Sequence, residues 1–336
     1  MGVDPGQVFN VSRAWQDLEV IARDPHSFND ERVLPVREYL LSTIRAEIEV
    51  ARRRELTLAA HSGGKSKRLA RLERVEVDDA GSDPERAFGL LHPQTWRYIE
   101  DGSILVLVPG LESFEKEGAD QDMLLVQAHY DSASLSRGAS DDGVGVVVIL
   151  EVLRNLLRYP TRHSVLLNID WGEEKGLFGA ELFARFHPWA RAVRAYINLE
   201  AGGVGGKAIL FRASNTELVE AYARVARNPD MSLFGNDALK LKLIRSDTDY
   251  STYTRFGIPG LDIAFTDRRG FYHTRKDSPD MTSKGSILHM GSSTLATARE
   301  IADSDLLLRI PRSPVYRDSK PEYPPYSLPD GSHPIA

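Results

Sequence analysis

The first fifty residues carry a helical period. Trp15, Leu18 and Ile21, then Val36, Tyr39, Leu40 and Ile44, recur at helical spacing, with a break at Asp24-Pro25. N-terminal helices are therefore expected within 10–58. Residues 59–95 lose this period, and Gly63-Gly64 and Gly81-Ser82-Asp83-Pro84 mark a loop-rich insertion with a marginal strand. From residue 96 the pattern changes again. Apolar runs at 104–108, 123–128, 164–170, 195–199, 207–212 and 260–265 read as strands. Between them, 144–157, 179–186 and 216–227 read as helices, and 286–303 as a closing helix. This alternation predicts an α/β fold with a mixed, mainly parallel central sheet flanked by helices, a single domain over 1–308 with its catalytic core at 96–308. Beyond it Pro, Ser and Tyr dominate, so 309–336 is expected to be a disordered or surface-hugging tail.

With 336 residues, 42% of them hydrophobic, the chain can bury a core of this size. The net charge of -6 is made of both signs and argues against a nucleic-acid partner. The basic cluster Arg52 to Arg54, Lys65, Lys67 and Arg68 is diluted by Glu55, Glu73 and Glu76 and reads as a solvated helix face and loop. Cysteine is absent, which excludes disulfides, thiolate metal sites and a cysteine nucleophile. A metal would have to be held by His, Asp and Glu. No run reaches the roughly 18 apolar residues of a transmembrane helix, so this segment itself is expected to make no membrane contact. Residues 1–7 lack a basic region followed by an apolar run, so no signal peptide is expected there.

Candidate chemistry gathers in five segments, the first, third and fourth directly after predicted strands. In open α/β sheets ligands bind outside the carboxyl ends of strands. His129-Tyr130-Asp131 follows the strand at 123–128. Taken alone, His129 is more often a buried strand-end histidine with a hydrogen-bonded Asp131. Asp141-Asp142, set between glycines, opens a helix, where an acidic N-cap is the alternative. Glu173-Glu174 follows the strand at 164–170, and Glu200 ends the strand at 195–199. Paired carboxylates repel unless cations or protons compensate. Tyr272-His273 lies far downstream, where a lone histidine is more often structural. Together, one imidazole and one carboxylate per metal, plus a carboxylate between, can hold two divalent ions about 3.5–4 Å apart. Nitrogen and oxygen donors without sulfur suit zinc, and a further Glu is available to take a proton from water.

These residues resemble the zinc aminopeptidase family that includes glutamate carboxypeptidase, plasma glutamate carboxypeptidase and the transferrin receptor ectodomain. The family order of His-x-Asp, Asp-Asp-Gly, Glu-Glu, a lone Asp or Glu, and a late His is met at His129, Asp141, Glu173-Glu174, Glu200 and His273. The resemblance implies a zinc-exopeptidase-like fold and two Zn2+ per chain. His129 and Glu200 would hold one ion, Glu174 and His273 the other, and Asp141 would bridge, followed by Asp142, often through a cis peptide. Glu173 would be the general base, Asp131 the partner of His129, and Tyr272 a candidate oxyanion donor. The implied activity is peptide hydrolysis, aminopeptidase-like, by attack of a metal-bound water on a peptide substrate.

Asn198 to Gly203 with Ala208 to Arg212 is most similar to fungal vacuolar membrane proteases and endoplasmic reticulum metallopeptidases. That similarity places the domain in a vacuolar or secretory-pathway lumen, either as a fragment of a membrane-anchored parent or as a shortened soluble relative. Glu200 departs from the Asp usual in secreted members. Two alternatives share the fold: a glutaminyl-cyclase-like acyltransferase, a branch working with one zinc, and a non-catalytic ectodomain, a branch that loses ligands or base. Arg245-Ser246-Asp247 and Asp249-Tyr250 are expected to line the substrate pocket.

Overall fold

The computed structural model describes residues 8–62, 66–79, 87–92, 95–100, 102–116, 121–232 and 247–316. Its strands are β1 (Glu76–Asp79), β2 (Ala87–His92), β3 (Thr95–Glu100), β4 (Ile104–Val108), β5 (Met123–His129), β6 (Ser164–Asp170), β7 (Val193–Ala201), β8 (Ala208–Ala213) and β9 (Gly260–Phe265). Seven of them form one sheet in the order β1-β4-β6-β5-β7-β9-β8, while β2 and β3 make a separate hairpin. The central strands β6, β5, β7 and β9 run parallel. The pairings β1-β4, β4-β6 and β8-β9 are antiparallel, so the expected parallel character is confined to the centre of a mixed sheet.

The helices are α1 (Val11–Ile21), α2 (Val33–Ser62), α3 (Lys67–Glu73), α4 (Val144–Arg158), α5 (Phe178–Phe186), α6 (Thr216–Val225), α7 (Asp249–Arg255), α8 (Lys284–Ala302) and α9 (Leu306–Arg309). Side chains alternate across a strand, so each central strand feeds two cores. Ile104, Val106, Val126, Leu167, Ile197 and Ile263 face a core shared with α1, α2, α4, α6 and α8. Leu105, Leu107, Leu125, Leu166 and Tyr196 face a smaller core completed by α5 and α7. Helix α4 is buried around nearly its whole circumference, which explains why its sequence is apolar on more than one face. Its Arg154 binds Asp17 of α1 at 2.6 Å and Glu47 of α2 at 2.7 Å, which ties the two N-terminal helices to the sheet.

The second face turns polar towards the strand ends. Two residues beyond Leu125, Leu166 and Tyr196 stand Gln127, Asn168 and Asn198, all buried. Their amide N–H groups are spent on one another and on α7 and β9. Asn168 donates to Gln127 at 2.8 Å, Gln127 to Asp249 at 2.5 Å and Asn198 to Asp262 at 3.0 Å. Buried amides need such partners, and this row forms the polar floor on which the site stands.

Two stretches are more ordered than their composition suggests. Within 59–95, α2 continues to Ser62, α3 is capped by Ser66, and β1 adds an edge strand. Arg71 of α3 is buried because its guanidinium reaches the carbonyls of Pro109, Leu156 and Leu157 at 3.0–3.4 Å, filling the acceptors at the end of α4. Residues 310–316, inside the expected tail, are seated on the domain: Ile310 joins the larger core, and Val315 and Tyr316 pack against the smaller one. Ile310 and Ser313 are buried, and Tyr316 donates its hydroxyl to the Ala184 carbonyl at 2.6 Å. Gly63-Gly64, Gly81 to Pro84 and residues 317–336 lie outside the described residues.

Candidate active site

The chain brings together all five segments singled out in the sequence. His129 is the last residue of β5, and Glu173 and Glu174 occupy the single turn after β6. Glu200 is the penultimate residue of β7. Asp141 lies in the turn leading into α4, and His273 in the turns after β9, with φ of 57°. Side chains from two parallel strand ends and from the turns that leave the parallel strands therefore converge on one spot, outside the carboxyl ends of the sheet.

Two groups of ligand atoms meet there, each with its atoms within 4.8 Å of one another: His129, Asp141 and Glu200, and Asp141, Glu174 and His273. Asp141 belongs to both. Its Oδ1 lies 3.3 Å from His129 Nε2 and its Oδ2 lies 3.0 Å from His273 Nε2. Glu200 stands 3.9 Å from His129 Nε2, and Glu174 stands 3.2 Å from His273 Nε2. Glu173 belongs to neither group, although its Oε2 is 3.9 Å from His129 Nε2. The Asp141-Asp142 peptide is cis.

The donor set fits divalent ions. His129 Nε2, Glu200 Oε1 and Glu174 Oε1 are buried with no hydrogen-bond partner. Leaving such atoms unpaired is costly unless a cation fills the gap. The charges agree. Burial raises the carboxyls of Glu173 and Glu200 well above their ordinary range, and neighbouring carboxylates push the same way. Burial alone would lower the His129 imidazole, yet Asp141, Glu173 and Glu200 raise it well above its ordinary value. At His273 burial also opposes the charge, but Asp141 and Glu174 raise it to about 10. Without cations the cluster thus holds protons. Two metal ions would supply the same compensation and leave the imidazoles neutral to ligate.

The ring orientation of His129 follows from its other nitrogen. Nδ1 donates to the backbone carbonyl of Asp131 at 2.8 Å, which leaves Nε2 with its lone pair facing the cluster. The Asp131 carboxylate is 3.7 Å from Nδ1 and serves another purpose: its Oδ1 accepts the Gly172 N–H at 2.8 Å. That bond holds the turn carrying Glu173 and Glu174. Asp131 thus meets His129 twice, through its backbone carbonyl at 2.8 Å and its carboxylate at 3.7 Å.

Two further acids support the cluster: Asp277, unassigned from the sequence, and Asp142, named there only as the neighbour of Asp141. Asp277 is fully buried and accepts from the backbone N–H of Ser140 at 2.8 Å and of Asp141 at 3.1 Å, joining the His273 loop to the Asp141 turn. Burial, with Asp141 beside it, raises its carboxyl to about 7. Asp142 accepts from the N–H of His129 at 3.3 Å and of Gly145 at 3.1 Å. A Cβ at Gly145 would lie 2.4 Å from the Asp142 carboxylate, so glycine is required there. The spacing of Asp277 four residues beyond His273 was the one available signal, and it points to no chemistry by itself. Tyr272 stacks on the His273 ring, with centroids 3.6 Å apart. Of the residues expected to line the substrate pocket, Asp247 lines the cavity beside Glu200, Asp249 and Tyr250 are buried, and Arg245 and Ser246 lie outside the described residues.

Comparison with known proteins agrees with this geometry. The profile of Peptidase family M28 matches residues 113–298. A "Vacuolar membrane protease" of Phaeosphaeria nodorum is 35% identical over 333 residues, covering 95% of this chain and 32% of its own length. One of Schizosaccharomyces pombe is 36% identical over 280 residues, covering 83% of this chain and 30% of its own length. The chain thus spans about a third of the length of these relatives. Among solved structures, the LapA aminopeptidase of Legionella pneumophila superposes with a TM-score of 0.60 at 14% identity, covering 89% of this chain and 74% of that one. A glutaminyl cyclase from an Acidobacteriales bacterium gives 0.61 at 16%, covering 88% and 95%. These likenesses establish the fold. The chain belongs to Peptidase family M28. Among the described residues no helix is long and apolar enough to cross a membrane.

Proposed function

We propose that this domain hydrolyses peptide bonds as a two-zinc, aminopeptidase-like exopeptidase. The observation that carries the reading is Asp141, whose two oxygens face two imidazoles, each accompanied by its own glutamate. His129 and Glu200 would hold one ion, His273 and Glu174 the other, and Asp141 both. Zinc in such a pair supplies Lewis acidity to the scissile carbonyl and to water, whose pKa falls towards about 7. Glu173 stands outside both ligand groups and is free to accept the water's proton and pass it to the leaving amine. Asp131 supports that role by fixing the turn at Gly172. Tyr272, stacked on His273, would be the candidate donor to the developing oxyanion. The names of the relatives support a vacuolar lumenal setting. A one-zinc, glutaminyl-cyclase-like reading has the fold in its favour, but the complete His129–Asp141–Glu200 group speaks for hydrolysis.

The test separates two adjacent residues. Glu173→Gln keeps shape but cannot accept a proton, so metal content should stay near two ions while kcat falls about 10²–10⁴-fold. Glu174→Gln should instead lose metal. The reading is wrong if Glu173→Gln keeps most of its kcat with both ions bound.

A further inference from the structure

The turn that carries Glu173 and Glu174 is bounded by uncommon backbone geometry. Gly172 before it has φ of 90°, and Gly176 and Leu177 after it have φ of 135° and 60°. A positive φ is rare at leucine, so the turn is held by its surroundings rather than by local preference. The Gly172 N–H donates to Asp131, and the Gly172 carbonyl accepts the Phe178 N–H at 3.1 Å. The Glu174 carboxylate has a further anchor in His273 Nε2 at 3.2 Å. Among the described residues the Glu173 carboxylate meets an imidazole only at 3.9 Å, from His129, beyond hydrogen-bond reach. The place of Glu173 is therefore set by the backbone that carries it.

A second support for that backbone comes from residues 22–32, which join α1 to α2. They are tied first to the loop after β5. The His26 N–H donates to Ser132 Oγ at 3.0 Å, the His26 carbonyl accepts the Ser132 N–H at 3.2 Å, and Arg137 Nε donates to the Ala22 carbonyl at 2.7 Å. Ser132 directly follows Asp131, so one loop both anchors this connector and holds Gly172. Two residues beyond His26, Phe28 reaches the turn itself. Its ring stacks on Trp171, with centroids 4.3 Å apart, and stands 5.8 Å from the Phe178 ring. It also lies against Gly172, where an added Cβ would come within 2.8 Å of it. Phe28 thus touches residues on both flanks of the Glu173–Glu174 turn. The Trp171 indole packs in its turn on Gly102, where a Cβ would fall 2.6 Å from it. Phe28 is half-buried and part of neither hydrophobic core.

We infer that Phe28 is a positioning residue for Glu173: anchored through His26, its ring holds the turn and keeps the Glu173 carboxylate in register with the ligand cluster. The inference rests on the reading of Glu173 as general base. A displacement of about 1 Å caused by a change distant from the chemistry can cost about 10²-fold in rate. Removing the ring frees the turn without touching a ligand, and Glu174 keeps its partner in His273.

The test uses the full zinc-loaded chain and reads motion as well as turnover. In Phe28→Ala, amide hydrogen exchange within 172–178 should quicken at least about 10-fold, with β5 and β6 unchanged, whereas a global loss of stability would speed all three. Turnover is read on the fastest-cleaved of a panel of amino-acid p-nitroanilides. The kcat per metal-loaded chain should fall about 10–100-fold, while KM and metal content stay near wild type. Phe28→Tyr keeps the ring and should restore kcat. Phe28→Leu keeps apolar bulk, guards against a folding defect, and should show part of the same loss. Combined with Glu173→Gln, Phe28→Ala should add little to the loss already present, because residues acting through one another are non-additive. Unchanged exchange in the turn, an unchanged kcat, or a loss that multiplies with that of Glu173→Gln overturns the inference while the general-base reading stands. A Glu173→Gln variant that keeps its kcat with both ions bound overturns the general-base reading, and this inference with it.

Discussion

The two halves of the ligand cluster differ in how they are built. The His129–Glu200 half stands on strands β5 and β7 and is buried, with side-chain exposures of 1% and 5%. The Glu174–His273 half stands on turns and reaches the mouth, where His273 is 39% exposed. Strands fixed on both sides by parallel neighbours hold side chains more rigidly than turns do. The first half is therefore a preorganised floor. The second is the half that substrate and solvent meet, and its geometry depends on supports such as Asp277 and Asp131.

Asp141 is the one residue that joins the halves, and its loss should have the largest effect. Asp141→Asn is expected to reduce metal content from about two ions towards none and to abolish activity, as measured by metal analysis of the purified protein. Retention of one full ion would show that the halves are independent sites. A smaller change should expose the asymmetry. His273→Ala is expected to lose the outer ion and keep the inner, giving about one ion per chain. In the unaltered protein, competition with a zinc chelator should then release the metal in two phases. Release in a single step would mean that burial does not distinguish the halves.

Much of this was legible in the sequence, for reasons that can be stated. Runs such as Ile104 to Val108 and Ser164 to Asp170 are buried on both faces, so an unbroken apolar pattern located them closely. His129, Glu173-Glu174 and Glu200 stood out only in combination, because several acids and an imidazole gathered at the ends of neighbouring apolar strands need cations to compensate their charges. What stayed hidden depends on distant partners. Asp277 acts through backbone N–H groups 136 and 137 residues away. Arg71 looks solvated until the end of α4 is seen to need donors. The carboxylate of Asp131, 3.7 Å from His129 Nδ1, also accepts the Gly172 N–H, a bond that its place beside His129 in the sequence does not announce.

Those supports should matter less than the ligands themselves. Asp277→Asn keeps size but weakens two hydrogen bonds from the Asp141 turn, and second-layer changes of this kind typically cost about 10–100-fold in metal affinity or activity. The loss should appear as weaker metal binding, with kcat largely restored at saturating zinc. A kcat that stays depressed with both ions bound would assign Asp277 a role beyond positioning.

The smallest effect is expected furthest from the cluster. Ending the chain after Arg312 removes Ser313, Val315 and Tyr316 from the smaller core. Ser313 donates to the Phe256 carbonyl, and the Tyr316 ring lies 6.3 Å from that of Phe256. Each lost hydrogen bond is worth roughly 0.5–1.5 kcal/mol, and the uncovered apolar surface adds to that. The truncated chain should therefore melt several degrees lower. Yet neither the removed residues nor their contacts at Phe256 and Ala184 include a member of the ligand cluster, so metal content and kcat at 25 °C should be unchanged. A truncated protein that folds and binds two ions but turns over slowly would show that the smaller core transmits to the site. The route would run through α7, whose Asp249 accepts the buried Gln127 amide two residues before His129.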